Sequence, residues 1–187
     1  MDDDIGAALG IVPVEGRGSM PFALLDGEPL VSVASWALDE AGVELLDFTT
    51  SWPEIQAQAA RRRSPVVIHD PLCPGTPVSF ISEAVSAAAG GSVVAGTRPV
   101  TDTVKTIDGD ALGETVDRSQ LVAVTSPVVI PPAVVAQLSA LPSTDDLADL
   151  VAGLRGAHDV VLLEAPPAGR RVSDESDLEL VAALLPG

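Results

Sequence analysis

Cationic residues are scarce in this chain, which limits where a phosphate could bind. The 187 residues include 10 lysines and arginines against 27 aspartates and glutamates, giving a net charge of −17. Arg17 stands between two glycines, Gly16 and Gly18, and Arg171 follows Arg170. Backbone amides of a glycine-rich turn can bind phosphate together with a guanidinium. We therefore take Arg17 and Arg171 as candidate phosphate-binding cations and the two glycines as a candidate phosphate-binding turn, although most Gly-x-Gly sequences are simply turns.

An aspartate at the end of a predicted strand is the second candidate. The apolar stretch from Pro65 to Ile68 has the composition of a buried strand and leads into His69 and Asp70. An aspartate there can bind a metal ion or a sugar hydroxyl, and it can equally cap the next turn. Cys73 follows, and nothing beside it in the sequence would lower the pKa of its thiol, so we expect it to be inert packing.

The segment 97–125 has the pattern of a β-hairpin arm. It lacks helical periodicity, and its β-branched residues surround the turn Asp108-Gly109-Asp110. A hairpin here places Lys105 and Arg118 on facing strands. The alternative interpretation is alternating surface charge along an exposed sheet edge.

The rest of the chain alternates between strand and helix patterns. Strands are predicted at 10–14, 45–48, 64–70, 91–95 and 158–163, and helices at 29–41, 52–63, 76–88, 131–140, 145–154 and 174–185. This alternation predicts an α/β fold with a mostly parallel sheet. Because ligands bind beyond the carboxyl ends of such strands, we expect residues 15–19, 69–70 and 165–171 to converge.

Composition excludes several functional classes. A mean hydropathy of +0.35 is incompatible with a disordered chain. No apolar run reaches the roughly 18 residues that a membrane span needs, and the acidic start from Met1 to Asp4 is unlike a signal peptide, so we expect a cytoplasmic protein. The negative charge opposes binding to nucleic acid or anionic membranes. One cysteine excludes a disulfide within the chain, and one cysteine with two histidines makes a zinc site improbable.

The arm carries a resemblance to a known family. Residues 99–105, followed by residues 115–119, resemble the arm motif of the 2-C-methyl-D-erythritol 4-phosphate cytidylyltransferases, the IspD family of isoprenoid biosynthesis. Weaker similarities occur in the family's order from about residue 9 to residue 186. They fall at 12–16, 21–30, 67–70, 126–127, 144–146 and 171–177.

The resemblance implies an architecture and a reaction. The chain would be a single nucleotidyltransferase domain, residues 1–187, with a three-layer Rossmann-like fold and a protruding β-arm. It would form a homodimer through residues 97–125. The family reaction joins CTP and methylerythritol phosphate in the presence of Mg²⁺ and releases pyrophosphate.

Site residues follow from the matching motifs. Asp70 would bind the cytidine ribose and the metal, while Thr103 and Arg118 would bind methylerythritol phosphate across the dimer. Ser126 stands in the family's Thr-Pro-Gln motif and counts as substrate-binding. The resemblance makes Arg17 and Arg171 the candidate catalytic residues: Arg17 would substitute for an arginine of the family's loop, and Arg171 would replace a lysine near the reacting phosphates.

The chain departs from the family mainly on the CTP side. Phe22 occupies the place of a phosphate-contacting lysine, the turn after the first strand is shorter, and the glycine-containing segment that recognises cytosine is absent between residues 48 and 64. Cys73 and Val128 replace an arginine and a glutamine. Losing one charge-stabilising donor costs about 10²–10³ in rate, so these losses together should cost roughly 10⁴ or more, although such effects are not additive.

The sequence therefore predicts a divergent IspD-like protein with weak or lost transfer activity. One alternative is an active, Mg²⁺-dependent nucleotidyltransferase that uses a different sugar or alcohol phosphate. Another is a non-catalytic dimeric binding or regulatory module without a cofactor. The expected partners are a weakly bound phosphorylated molecule or nucleotide and a second copy of the chain, and neither nucleic acid nor a membrane.

Overall fold

A computed structural model describes residues 6–101, 103–109 and 111–185 of the chain. The strands are β1 (Leu9–Ile11), β2 (Leu24–Leu25), β3 (Glu28–Pro29), β4 (Glu44–Leu45), β5 (Val66–Ile68), β6 (Val93–Pro99), β7 (Lys105–Asp108), β8 (Ala111–Thr115), β9 (Val122–Ile130) and β10 (Val160–Glu164). The helices are α1 (Leu30–Glu40), α2 (Trp52–Arg62), α3 (Val78–Ala88), α4 (Pro132–Val135), α5 (Leu147–Arg155) and α6 (Glu175–Leu184).

Six strands form the central sheet, in the order β10-β6-β9-β5-β1-β4. β10 is parallel to β6, and β1 is parallel to both β4 and β5. Only β9, among the described strands of this sheet, runs against its neighbours, β5 and β6. The predicted α/β class with a mostly parallel, Rossmann-like sheet is confirmed.

Helices cover both faces of the sheet and make three layers. In β5, Val66 and Ile68 face α2, α4 and α5, whereas Val67 between them faces α1 and α3. Side chains alternate between the faces of a strand, so a continuous apolar run such as β5 fits a strand that is buried on both sides. The sheet therefore lies in the middle of the core.

The C-terminal segment covers the loop that follows β5. Leu178 and Val181 of α6 pack with Leu72 in a separate apolar cluster, and the backbone N–H of Val172 donates to the carbonyl of Leu72 at 2.7 Å. Every residue from 64 to 76 is buried. The strand end that carries Asp70 is therefore enclosed by the chain itself.

The arm is shorter than the segment 97–125 predicted from the sequence. β6 continues in the central sheet as far as Pro99 and β9 enters it at Val122, so both ends of that segment belong to the sheet. The hairpin outside it consists of β7 and β8, in which Ile107 pairs with Leu112. Asp102 of the arm motif and Asp110 of the predicted turn lie outside the described residues.

One predicted helix is shorter in the structure, and one hairpin is additional. The helix predicted at 131–140 is only α4. The carbonyl of Val135, which a longer helix would use, accepts from a side chain of α2, and α2 also holds the chain beyond α4. Trp52 Nε1 donates to the carbonyl of Leu138 at 3.2 Å, and Gln56 Nε2 donates to the carbonyls of Val135 and Leu138. The β2–β3 hairpin, which turns at residues 26–27, was not predicted. None of the described helices has the length and apolarity to cross a membrane.

Candidate functional site

Three predicted site residues meet at the carboxyl edge of the sheet. Arg17 follows β1, Asp70 follows β5 and Arg171 follows β10. Nε of Arg17 donates to Oδ1 of Asp70 at 2.8 Å, and Nε of Arg171 donates to Oδ2 of the same carboxylate at 3.2 Å. The predicted convergence of these loops is therefore observed, and its centre is an ion triad that we call the Asp70 triad.

Arg17 is directed into the protein. Its side chain is 0% exposed. Nη1 donates to the carbonyl of Glu15 at 2.8 Å and Nη2 to the carbonyl of Thr144 at 2.6 Å. These bonds join the glycine-rich turn, the end of β5 and the loop before α5. A guanidinium used in this way positions the loops and does not face a solvent-borne phosphate.

Asp70 is also committed to partners within the chain. Besides the two guanidinium groups, the backbone N–H of Leu72 donates to its Oδ1 at 2.9 Å, and the residue is 1% exposed. A buried carboxylate requires such partners, because desolvation of an isolated charge costs several kcal/mol. Arg171, with 38% of its side chain exposed, is the member of the triad that a ligand can reach.

The donor set around Asp70 does not fit a magnesium ion. Mg²⁺ binds through one or two carboxylates together with substrate phosphates and water. Both oxygens of the Asp70 carboxylate already accept from guanidinium groups. A cation at Asp70 would have to displace a guanidinium and then stand beside two positive charges.

His69 and Ser126 form a buried polar pair next to the triad. Oγ of Ser126 is hydrogen-bonded to Nδ1 of His69 and accepts from the backbone N–H of Asp70 at 2.9 Å. Burial lowers the pKa of His69 to about 4, and the opposing effect of the Asp70 charge is smaller. The ring is therefore neutral at pH 7. Ser126, predicted to bind substrate, is completely buried and supports the strand end.

Cys73 is part of the buried turn that follows Asp70, and its backbone N–H donates to the carbonyl of Asp70 at 2.9 Å. Burial, followed by the negative charge of Asp70, raises the pKa of its thiol to about 12. A thiol that stays protonated is neither a nucleophile nor a metal ligand. The residue packs, as its sequence context predicts.

The glycine-rich turn lies against a carboxylate. Gly16 has φ +73°, and a Cβ at this position would stand 2.7 Å from Cβ of Asp145 and 2.9 Å from its Oδ1. Gly18 has φ +57° and no atom within 4 Å of a Cβ position. A negative side chain beside Gly16 works against binding of phosphate to the amides of this turn.

The arm residues predicted to bind substrate stand apart from the Asp70 triad. Thr103 and Arg118 are both exposed, and Nη1 of Arg118 donates to the carbonyl of Thr101. Arg118 lines a cavity of about 440 Å³ at the base of the arm, together with Arg98 and Glu164. No hydrogen bond or ion pair between described residues links Thr103 or Arg118 to Asp70.

Arg98 is the residue that the sequence analysis missed. It lies near the carboxyl end of β6, and it lines both the 440 Å³ cavity and a second cavity of about 330 Å³. Arg170 and Arg171 line the second cavity as well. An arginine at the carboxyl end of a parallel strand is a usable sequence signal, because that edge binds ligands.

The structure also shows the positions at which the sequence differs from the family's CTP-binding motifs. Phe22 is exposed just after the glycine-rich turn. Asp47 begins a tight turn by accepting from Thr49, and Ser51 with Glu54 caps the start of α2. The chain therefore passes from β4 to α2 through residues 46–51, with no segment there that resembles the cytosine-recognising one.

Solved structures with the same fold cover almost the whole chain. The 2-C-methyl-D-erythritol 4-phosphate cytidylyltransferase of Thermus thermophilus superposes with a TM-score of 0.66 at 21% identity, over 95% of this chain and 97% of that one. The 4-diphosphocytidyl-2C-methyl-D-erythritol synthase of Anaerococcus prevotii gives 0.67 at 13% identity, over 97% and 99%. These likenesses establish the fold.

Sequence comparison finds relatives with higher identity than these solved structures have. A bifunctional enzyme IspD/IspF of Novosphingobium aromaticivorans is 29% identical in an alignment 191 positions long that covers 84% of this chain and 49% of that protein. The chain is IspD-like. A second bifunctional IspD/IspF, from Solidesulfovibrio magneticus, is 44% identical over 63 residues, or 33% of this chain and 16% of that protein. The IspD-like chain thus spans about half or less of these curated relatives, and no protein-family model matches it.

Proposed function

We propose that this IspD-like chain binds a small phosphorylated molecule and performs cytidylyl transfer weakly or not at all. In the family reaction, CTP and methylerythritol phosphate give CDP-methylerythritol for isoprenoid biosynthesis. The resemblance implies this reaction, and the related proteins are cytidylyltransferases or IspD/IspF enzymes. The proposed loss of transfer rests on the site of this chain.

The Asp70 triad is the observation that carries the proposal. Nucleotidyl transfer depends on positioned cations and a metal that neutralise the phosphates. Asp70, the expected metal ligand, instead accepts from Arg17 and Arg171 and is 1% exposed. Arg17, the expected phosphate-binding cation of the turn, is 0% exposed and bound to two carbonyls. The groups that should hold CTP and magnesium are thus bound to one another.

The surroundings of the triad support the same conclusion. Phe22 is an exposed apolar side chain where a phosphate-contacting lysine is expected. Asp145 places a carboxylate beside Gly16 in the phosphate-binding turn. In a chain of net charge −17, the triphosphate of CTP also meets long-range repulsion.

The phosphorylated ligand would bind to the exposed part of Arg171, in the 330 Å³ cavity that this residue lines. The volume of this cavity is within the range of about 300–1,000 Å³ that small-molecule sites occupy. A homodimer through the segment 97–125 would bring Thr103 and Arg118 of the arm to a second copy, as the resemblance implies.

An active nucleotidyltransferase with another sugar or alcohol phosphate is the alternative. The exposed part of Arg171 and the open side of Gly18 favour it, since both can meet phosphate without a change of structure. This alternative needs Mg²⁺ held chiefly by the nucleotide's own phosphates, because the Asp70 triad does not provide a site.

Pyrophosphate release tests the proposal. The chain is incubated with CTP, methylerythritol phosphate and Mg²⁺, and the Thermus thermophilus cytidylyltransferase serves as the positive control. We expect a rate at least about 10⁴ below that of the control, in line with the loss of several charge-stabilising groups. A rate within tenfold of the control contradicts the proposal. If pyrophosphate is released only when another nucleotide or another acceptor is supplied, the result supports the alternative.

A further inference from the structure

The carboxylate of Asp70 is fixed from its buried side. Oδ1 accepts from Nε of Arg17 at 2.8 Å and from the backbone N–H of Leu72 at 2.9 Å. Arg17 is held in turn by two backbone carbonyls. These bonds restrain the plane of the carboxylate, and in this orientation its second oxygen, Oδ2, faces Arg171.

The bond to Asp70 determines which donors of Arg171 remain for a ligand. Oδ2 accepts from Nε of Arg171 at 3.2 Å. A guanidinium has five N–H donors in a fixed fork, so the four on its two Nη atoms remain. In the part of the chain that the structure describes, no hydrogen bond engages either Nη of Arg171. This pair is the end of the side chain that can bind two oxygens of one phosphate.

The restraint favours binding in the cavity that Arg171 lines. The side chain is 38% exposed and borders the 330 Å³ cavity. A long side chain that becomes ordered only on binding lowers the affinity through the rotamer freedom it loses. Because Asp70 holds Arg171 before a ligand arrives, part of this loss has occurred in the free protein.

The charges at the cavity balance one phosphate without a metal ion. The Asp70 triad carries one net positive charge, and Arg98 and Arg170 line the same cavity. Asp177 pairs with Arg170 at 3.2 Å and offsets it, so Arg98 and the triad leave two positive charges. A phosphate monoester carries about 1.5–2 negative charges at pH 7. A divalent cation would double the positive charge that faces the same phosphate.

We infer that Asp70 is a positioning residue for Arg171, and that this site binds its phosphorylated ligand without a divalent cation. The inference deepens the proposed function and rests on it, because the cavity is the site proposed above for that ligand. Mg²⁺ and the arginines would compete for the same phosphate oxygens. Magnesium should therefore leave the affinity unchanged or lower it.

Calorimetry with glycerol 3-phosphate as the probe tests the independence from metal. One titration contains EDTA and the other contains Mg²⁺, with NaCl used to match the ionic strength, since salt alone weakens binding of charged groups. We expect a dissociation constant in Mg²⁺ that is equal to or larger than the one in EDTA. Binding that is tenfold or more tighter with Mg²⁺ overturns the inference and leaves the phosphate site in place. Absence of binding in both titrations overturns the phosphate site and the inference with it.

Asp70→Asn tests the positioning role, because charge and positioning predict opposite results. The substitution adds one positive charge to the site, so electrostatics alone would tighten binding of the probe. Loss of the charge-assisted bond that orients Arg171 should instead weaken it by roughly tenfold or more. The titration is done at a temperature at which circular dichroism shows the variant to be folded. Equal or tighter binding by the folded variant overturns the positioning role.

Arg171→Lys provides the same test if Asp70→Asn does not fold. It keeps the charge and leaves the buried pair of Arg17 and Asp70 intact, but it lacks the fork that Asp70 orients. We expect binding of the probe to weaken by roughly tenfold, and unchanged affinity overturns the inference. Arg61→Gln is the control, because it removes a positive charge at the exposed end of α2, outside both cavities, and should preserve the affinity.

Discussion

Arg17 and Asp70, which are 53 residues apart in the sequence, form an ion pair of 2.8 Å in which both side chains are almost completely buried. A pair that joins the turn after β1 to the end of β5 fixes the relative positions of the two loops that the resemblance assigns to nucleotide binding. Because Arg171 binds the second oxygen of the same carboxylate, Asp70 is occupied from both sides.

Replacement of Asp70 should strongly destabilise the protein. Asp70→Asn removes the negative charge and leaves two guanidinium groups with a neutral amide. Loss of one partner of a buried ion pair costs about 3–5 kcal/mol. We expect a decrease of this size in the free energy of unfolding, measured by urea denaturation. Glu44→Gln is the control, because Glu44 forms an exposed pair with Arg62 and such pairs contribute under about 1 kcal/mol. Equal losses in the two variants would contradict the structural role of the triad.

Stability should fall as the pH decreases from 6.5 to 4. In the unfolded chain His69 takes up a proton near pH 6.5, whereas in the folded protein its pKa is about 4 because it is buried. Protons therefore bind preferentially to the unfolded state in this window, and at 1.36 kcal/mol per pKa unit the loss amounts to about 3 kcal/mol.

Urea denaturation at several pH values measures this loss. His69→Asn, whose amide can still bond to Ser126, should remove most of the pH dependence between 4 and 6.5. The same substitution at His158, the chain's other histidine, serves as the control. A slope that His69→Asn leaves unchanged would mean that another group is responsible.

The two glycines of the turn should respond differently to alanine. Both have positive φ, so either substitution strains the backbone by about 1 kcal/mol or more. Only at Gly16 would the new Cβ collide with Asp145, at 2.7 Å. We expect thermal denaturation to show the larger decrease in melting temperature for Gly16→Ala, with Gly18→Ala as the matched control. The reverse order would show that the turn does not pack against Asp145.

The hairpin of β7 and β8 should mediate a homodimer. Ile107 and Leu112 pair across it, and both are exposed in the single chain. A two-stranded hairpin is marginally stable alone in water, so burial against a second copy would stabilise it. Light scattering should give the dimer mass for the wild-type chain. The double variant Ile107→Asp with Leu112→Asp should be monomeric, and a wild-type monomer at micromolar concentration would contradict the prediction.

The meeting of the site loops could be predicted from the sequence. Arg17, Asp70 and Arg171 each follow a predicted strand, and strands of one direction end at the same edge of a sheet. Their pairing could not be predicted in the same way. It depends on the length of the glycine-rich turn and on a carbonyl of Thr144, which arrives from the other half of the chain.

The sequence also did not predict where the arm and one helix end. β-branched residues are frequent both in the hairpin and in the sheet strands beside it, so composition does not indicate that β6 extends to Pro99 or that β9 runs from Val122 to Ile130. The helix predicted at 131–140 ends early, at a carbonyl that accepts from Gln56, and Trp52 binds the chain beyond that end. Local periodicity does not report contacts made by residues roughly 80 positions away.

Calorimetry of CTP with Mg²⁺ tests the central claim most directly, because it measures whether the Asp70 triad leaves a nucleotide site. We predict no measurable heat of binding at micromolar protein concentration. A dissociation constant of about 10 μM or tighter, which corresponds to near −7 kcal/mol, would contradict the account and favour an active nucleotidyltransferase.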